Sequence, residues 1–549
     1  MAESHEFDFV IIGAGSAGCV LAERLSANGK YSVALIEAGG SDRRFWVQVP
    51  LGYGKTFYDS RINWAYRAEP DPGLAGQADY WPRGKLLGGS SSINAMVWIR
   101  GNARDFDDWA AEGNPGWSFA DCLPFFKAIE HNCAGADQWR GRGGPVHVAD
   151  VSSRLHPLAQ RFVQAGLQAG LAFNPDFNGA AQDGIGVYQI NTRKGWRMSA
   201  AKAFLRPAMA RRNLQVLTHA HACRILLQGR RATGVEIDRG GQRSIVRARR
   251  EVILAAGSVN SPQILHLSGI GPAAHLASIG IDVVMDSPAT GHHLQDHLGI
   301  NYTYRSKVNT LNQSLRPWWG KVAAGVDFLA RGQGPLSLSL NQGGGFIRTR
   351  AGLDRPNIQL YFQAISTFGA KSGTRPLLTP DAFPGFCIGL STCKPLSRGS
   401  IVAASRDPFA APRITANAFG HAADVADMLD GVKFLRNLAA QPAMRDMVEA
   451  ELAPGPDVTL DADLVADFRQ RSGSVYHPVG TCRMGCDPAG ATVDARLRLY
   501  GIVGLRVADA SVFPAIISGN TNAAVMMVAA RAASMILEDA QSRTIRNSD

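Results

Sequence analysis

Apolar residues fall into two textures along this chain. In the first, short solid runs end at glycine. Phe9-Val10-Ile11-Ile12 is apolar throughout and stops at Gly13, the pattern of a parallel strand buried on both faces. Residues 17 to about 27 place Val20, Leu21 and Leu25 on one helical stripe, and Ser32-Val33-Ala34-Leu35-Ile36 supplies a second strand. Glu251-Val252-Ile253-Leu254-Ala255-Ala256-Gly257 is another strand that ends in small residues, where backbone can approach a ligand, and Gly504-Leu505-Arg506-Val507-Ala508-Asp509 is a short late strand that leads to a long helix. The second texture lies between about 300 and 475. There, segments such as Pro356 to Phe362 and Gly399 to Ala403 alternate apolar and polar positions, which predicts antiparallel strands with one face exposed. Val425, Met428, Leu429, Val432 and Leu435 give 424–438 helical spacing.

The expected fold is α/β, with a discontinuous Rossmann-like cofactor domain from 1–155, 190–300 and 475–549. A substrate-binding domain from 156–189 and 301–474 is expected to be a largely antiparallel sheet with helices on one side. A chain of 549 residues with 46% hydrophobic residues can fill such cores. The formal net charge is +11, but the basic residues are scattered and not interleaved with aromatics, so no nucleic-acid partner is expected. Eight cysteines without a CxxC pair fit neither a disulfide framework nor a zinc site. Met1 to Asp8 lacks the plan of a signal peptide, and the apolar run 523–530 is cut at Arg531, short of a membrane span. Those features predict a cytoplasmic protein with no transmembrane segment.

The glycines after the first strand carry the first chemistry. Gly13-Ala14-Gly15-Ser16-Ala17-Gly18 has the GxGxxG spacing, with Glu37 and Ala38 closing the second strand. Gly13 permits the tight turn, Gly15 admits a pyrophosphate, Gly18 lets helix and strand pack, and Glu37 can accept from ribose hydroxyls. The motif alone fits NAD or FAD. A second glycine-rich run, Gly84 to Met96, includes Gly88-Gly89-Ser90-Ser91 and can donate backbone N–H groups to an anion before it enters apolar Met96-Val97-Trp98-Ile99.

Gly84 to Met96 and Gly257 to Gly271 resemble the two signatures of the glucose-methanol-choline family of FAD-dependent oxidoreductases, and similar segments run from about residue 7 to about 537. The resemblance implies FAD, with the flavin over residues 88–97, among them Asn94, Ala95, Met96 and Val97. It also implies cofactor contacts at Ala222, Ala256, Gly257, Asp509, Ala510, Asn520 and Thr521. Ile93 stands where some relatives carry a flavin-linked histidine, so the FAD is expected to be non-covalent.

Removing a hydroxyl proton while a hydride leaves the same carbon needs a base and a group that fixes the oxygen. A neutral histidine, with an ordinary pKa of about 6.5, suits the first task, and an amide suits the second. The resemblance carries these roles onto His477 and Asn520. Tyr361, Phe362, Phe368, Val475 and Tyr476 are expected to line the pocket. Such walls suit an uncharged primary alcohol, aromatic, furanic or aliphatic, which is the expected substrate; they would also suit the cation of a choline-type substrate, the alternative. Electrons would pass to molecular oxygen or another acceptor. A hydroxynitrile lyase with redox-silent FAD is the alternative from another class. His293 and His297 have i, i+4 helical spacing in Gly291 to His297, but no acidic third ligand accompanies them, so the run is taken as structural and no metal is expected.

Overall fold

The computed structural model describes residues 5–368 and 379–546. Two seven-stranded sheets organise them. In the first, strands Leu214–Leu217, Val33–Ile36, His5–Ile12 and Gln242–Leu254 lie parallel in that order, and Leu505–Val507 extends the parallel set on the far side of Gln242–Leu254. The Ser16–Ser26 helix links the first two strands in sequence and buries Val20, Leu21 and Leu25. Apolar runs form these strands because both faces are covered. Gln242–Leu254 is long enough for its first half to pair antiparallel with Arg231–Arg239, which in turn pairs with His221–Gln228. This meander is absent from the sequence reading.

The second sheet is antiparallel. Its order is Val448–Ala453, Leu298–Ser306, Gly385–Thr392, Ile358–Gln363, Gly343–Ile347 and Gly184–Val187, with Gly473–Ser474 also on Leu298–Ser306. The expected exposed face is not present on the central strands. Gly385–Thr392 is buried at every position. Helices Pro157–Gln168 and Ala422–Ala440 cover one side, and the other side meets a cavity shared with the first sheet. Period-two alternation decides which side each residue serves. Phe362 stacks on Phe162 of the helical layer at 5.2 Å, whereas Tyr361 lines the cavity.

Two further local expectations are corrected. Among the described residues Ser400–Val402 pairs as a strand with Arg413–Thr415, in a ribbon packed on the Gly257–Leu267 helix of the first layer. Residues 291–297 form no helix, and His293 has a φ of +61°. Among the described residues no helix is long and apolar enough to cross a membrane.

Candidate active site and dinucleotide cradle

A cavity of about 1480 Å³ begins at the glycine turn and reaches the antiparallel sheet. That exceeds the roughly 300–1,000 Å³ of an ordinary ligand pocket and leaves room for a dinucleotide and a substrate. Gly13 has a φ of +98°, and a Cβ there would stand 2.6 Å from the Ala255 carbonyl oxygen. At Gly18 a Cβ would fall 1.8 Å from the Gly13 carbonyl oxygen. Gly15, Ser16 and Ala17 therefore present the N-terminus of the Ser16–Ser26 helix to the cavity without obstruction, an arrangement suited to a pyrophosphate. The second glycine run docks directly on the first. Gly88 N donates to Ala14 O at 2.7 Å, and a Cβ at Gly89 would touch the Gly15 Cα at 2.7 Å.

Glu37 is buried and accepts from Ala14 N at 2.9 Å and Gly39 N at 2.8 Å. Burial pushes its pKa up to about 7. Its carboxylate shapes the turn and lines the cavity, and each oxygen keeps a second lone pair for a ribose hydroxyl. Asp509 accepts from Gly257 N, Ser261 Oγ and Ser511 N; burial raises its pKa. Asn522 also lines the cavity. Its Oδ1 accepts from Ser16 Oγ at 2.8 Å, while its Nδ2 has no partner among the described residues. Free donors, a bare helix end and glycines that leave no space for a Cβ make this donor set fit a dinucleotide.

At the other end, His477 Nε2 and Asn520 Nδ2 stand 3.2 Å apart in the cavity wall. The polarity of both groups is fixed from behind. His297 Nε2 lies 2.9 Å from Cys393 O. A carbonyl only accepts, so this nitrogen carries the proton and neutral His297 presents Nδ1 as an acceptor. His297 Nδ1 is 3.0 Å from His477 Nδ1, so His477 donates from Nδ1 and its Nε2 lone pair faces the cavity. Burial holds His297 down to about 4, which keeps it neutral. Asn520 is oriented in the same way. Tyr188 OH donates to Leu360 O at 2.7 Å and accepts from Gln359 Nε2, which also donates to Asn520 Oδ1 at 3.2 Å. Asn520 must then offer its N–H.

The backbone before His477 is held in a rare conformation. Tyr476 has a φ of +70°, and three contacts retain it. Its N–H donates to Ser474 Oγ, its carbonyl accepts from Arg83 Nη2 at 2.7 Å, and His477 N donates to Asp296 Oδ1 at 2.7 Å. Met96, beside the second glycine run, has a φ of +64° and also lines the cavity. Strain of this kind costs about 1–3 kcal/mol per residue and persists where the surroundings over-determine it.

Ala38, Ser90, Asn94, Ala95, Val97, Ala222, Ala256, Gly257, Ala510 and Thr521 line the cavity with those already described, as do Tyr361, Phe368, Val475 and Tyr476. Four expected contacts do not. Gly18 and Gly88 serve close packing, Ser91 Oγ turns inward to Gly88 O, and Phe362 belongs to the helical core. Sequence reasoning missed Arg83, Tyr188, Gln359 and Asp296, and took His297 only as structural. Its link to His477 spans 180 residues, and spacing within one run cannot reveal that.

The fold and this site define a nucleotide-dependent oxidoreductase. The chain belongs to the GMC oxidoreductase family: the N-terminal family model matches residues 7–299 and the C-terminal model matches residues 395–529. It is 41% identical over 532 residues to the oxygen-dependent choline dehydrogenase of Sinorhizobium medicae, with 96% of this chain and 95% of that protein covered. A second oxygen-dependent choline dehydrogenase, from Photobacterium profundum, is 42% identical over 97% of this chain and 93% of its own. Among solved structures, pyridoxine 4-oxidase from Mesorbium loti superposes with a TM-score of 0.87 at 30% identity, covering 96% of this chain and 98% of its own. A variant formate oxidase of Aspergillus oryzae RIB40, studied for FAD modification, superposes with a TM-score of 0.92 at 26% identity, covering 99% and 100%.

Proposed function

We propose that the protein is an FAD-dependent alcohol oxidoreductase that converts a choline-type primary alcohol to the aldehyde. The observation that carries this reading is the His477–Asn520 pair, facing with fixed polarity into the cavity that the glycine cradle opens. A hydroxyl placed between them donates to His477 Nε2 and accepts from Asn520 Nδ2, so the oxygen is held while its proton leaves. FAD held by the glycine cradle and Glu37 would supply the hydride acceptor for the carbinol carbon, so that the alcohol would lose two electrons and two protons in all. His477 keeps the proton at Nε2, and His297 keeps the ring in position.

The choline-type assignment is supported by the relatives that match over nearly the whole chain and by the aromatic faces of Tyr361, Phe57 and Tyr476, which can receive a quaternary ammonium. An uncharged aromatic primary alcohol is the second reading. It is favoured by the cavity's carboxylates outside the cradle, Asp79 and Asp467, which are already engaged by Ser474 N and Arg471. Ile93 lines the cavity with an aliphatic side chain, so the cofactor is non-covalent and acid denaturation should release all yellow colour from the polypeptide. The deciding experiment mixes the FAD-loaded enzyme anaerobically with choline or with an uncharged aryl alcohol and then admits air. Bleaching by choline supports the first reading and bleaching by the aryl alcohol alone the second. Flavin that stays oxidised with every alcohol overturns both and leaves the hydroxynitrile-lyase alternative. Recovery of colour in air separates an oxidase from a dehydrogenase that uses another acceptor.

A further inference from the structure

The Trp318–Arg331 helix starts after Pro317 and stops at Gly332, whose φ is +65°. Its inner stripe of Gly320, Ala324 and Phe328 is buried, with Phe328 edge-on to Trp196 at 4.5 Å. The outer stripe is apolar as well. Trp318 is 75% exposed, Trp319 60%, Val322 56%, Val326 61% and Leu329 65%. A helix on the surface of a soluble protein ordinarily turns its charges outward, and a contiguous apolar face of this kind marks an interaction site.

The surroundings specify the partner. Lys321 is exposed on the flank of the helix, between its inner and outer stripes, and is close enough to Lys55 to act on its charge. Lys55 Nζ sits 3.8 Å above the Trp46 ring, beside exposed Phe45. At the other end Gly195 packs against Gly332, which brings exposed Arg193 and Lys194 to the helix C-terminus. The helix's one carboxylate, Asp327, is already paired with Arg331 at 2.6 Å. Apolar residues that include two tryptophans, rimmed by cations that form no ion pair among the described residues, match the boundary of a bilayer with anionic headgroups. A second copy of this chain fits poorly, because a twofold contact would set this basic rim against itself.

We propose that the outer face of the Trp318–Arg331 helix docks on an anionic lipid surface, its apolar stripe entering the headgroup boundary while the basic rim meets lipid phosphates. The preceding Leu311–Leu315 helix hangs on the chain at 364–366, through Leu311 N to Ala364 O and Asn312 Nδ2 to Ser366 Oγ, next to Thr367 and Phe368 of the cavity wall. The docked face therefore belongs to the substrate side of the molecule.

The test is co-sedimentation of the FAD-loaded full chain with vesicles of equal parts phosphatidylglycerol and phosphatidylcholine, and with pure phosphatidylcholine. Binding to the anionic vesicles is expected, weakened by roughly 0.5 M salt. The combined Trp318→Ser, Val322→Ser and Leu329→Ser variant should lower partition about tenfold or more, and Lys321→Glu should lower it by about fivefold or more. Both should leave alcohol-driven flavin reduction unchanged, which also shows that they fold. The proposal is overturned if the anionic vesicles carry down no protein, if neither variant changes partition, or if ultracentrifugation shows a dimer that the triple variant dissolves.

Discussion

His477 works only as a neutral base with a free Nε2, and the surrounding groups secure both conditions. Burial first, then the neighbouring His297 ring, with which it cannot share a second proton, and the charge of Arg83 hold its pKa well below the ordinary 6.5. The rate of flavin reduction by alcohol should therefore show no acid limb near pH 6.5; the limb lies well below it. Arg83→Gln removes the neighbouring cation, so the limb should move to higher pH. A profile unmoved by that change would separate Arg83 from the ionisation of His477. His477→Ala should keep its FAD, since the cradle is built elsewhere, but reduce the rate by about 10²–10⁴-fold, the usual worth of a positioned general base. Wild-type rates in that variant would remove His477 from the mechanism. Residue identity made these roles legible in outline, because histidine and asparagine are the types the chemistry needs. The polarity of the pair was not legible, because it is set by carbonyls of Cys393 and Leu360 that carry no sequence signal.

Among elements, the strand Ile358–Gln363 shows where reading by pattern succeeds and where it stops. Its position was evident from the sequence, yet two adjacent aromatics, Tyr361 and Phe362, could not both face the substrate once the chain was extended. Phe362→Ala should therefore cost about 3–5 kcal/mol, the loss typical of a buried phenylalanine, and leave the reduction rate per bound flavin unchanged. A large change in rate with stability intact would place Phe362 back at the pocket. The expected open face failed for a related reason. Polar residues such as Gln363 mark a face turned away from the hydrophobic core, but here that face looks into a cavity instead of solvent. The Ser400–Val402 strand has an alternating pattern and yet joins the other layer, because alternation reports burial of one face and says nothing about which partner buries it. The glycine turn was read best, since local conformation and close approach leave few residue types to choose from.

At the scale of the molecule, the cradle is a meeting point of distant chain segments. Gly257 N reaches Asp509, Ser16 Oγ reaches Asn522, and Gly88 N reaches Ala14 O, while the same cavity continues to His477 between the two sheets. A ligand that fills it touches residues from each of these segments, and it stabilises the folded state by mass action, about 2.7 kcal/mol at a hundredfold excess over its dissociation constant. Removal of FAD should accordingly lower the melting temperature and selectively raise amide exchange in 13–18, 37–39, 89–97 and 509–525. Gly385–Thr392, buried throughout and paired on both edges, should keep its protection, because its hydrogen bonds close within the sheet. Hydrogen exchange of the holo and apo forms under one set of conditions checks this directly. Equal loss of protection in both sets would mean that the cofactor holds the entire molecule together, and no loss in the first set would mean that FAD does not occupy the cradle.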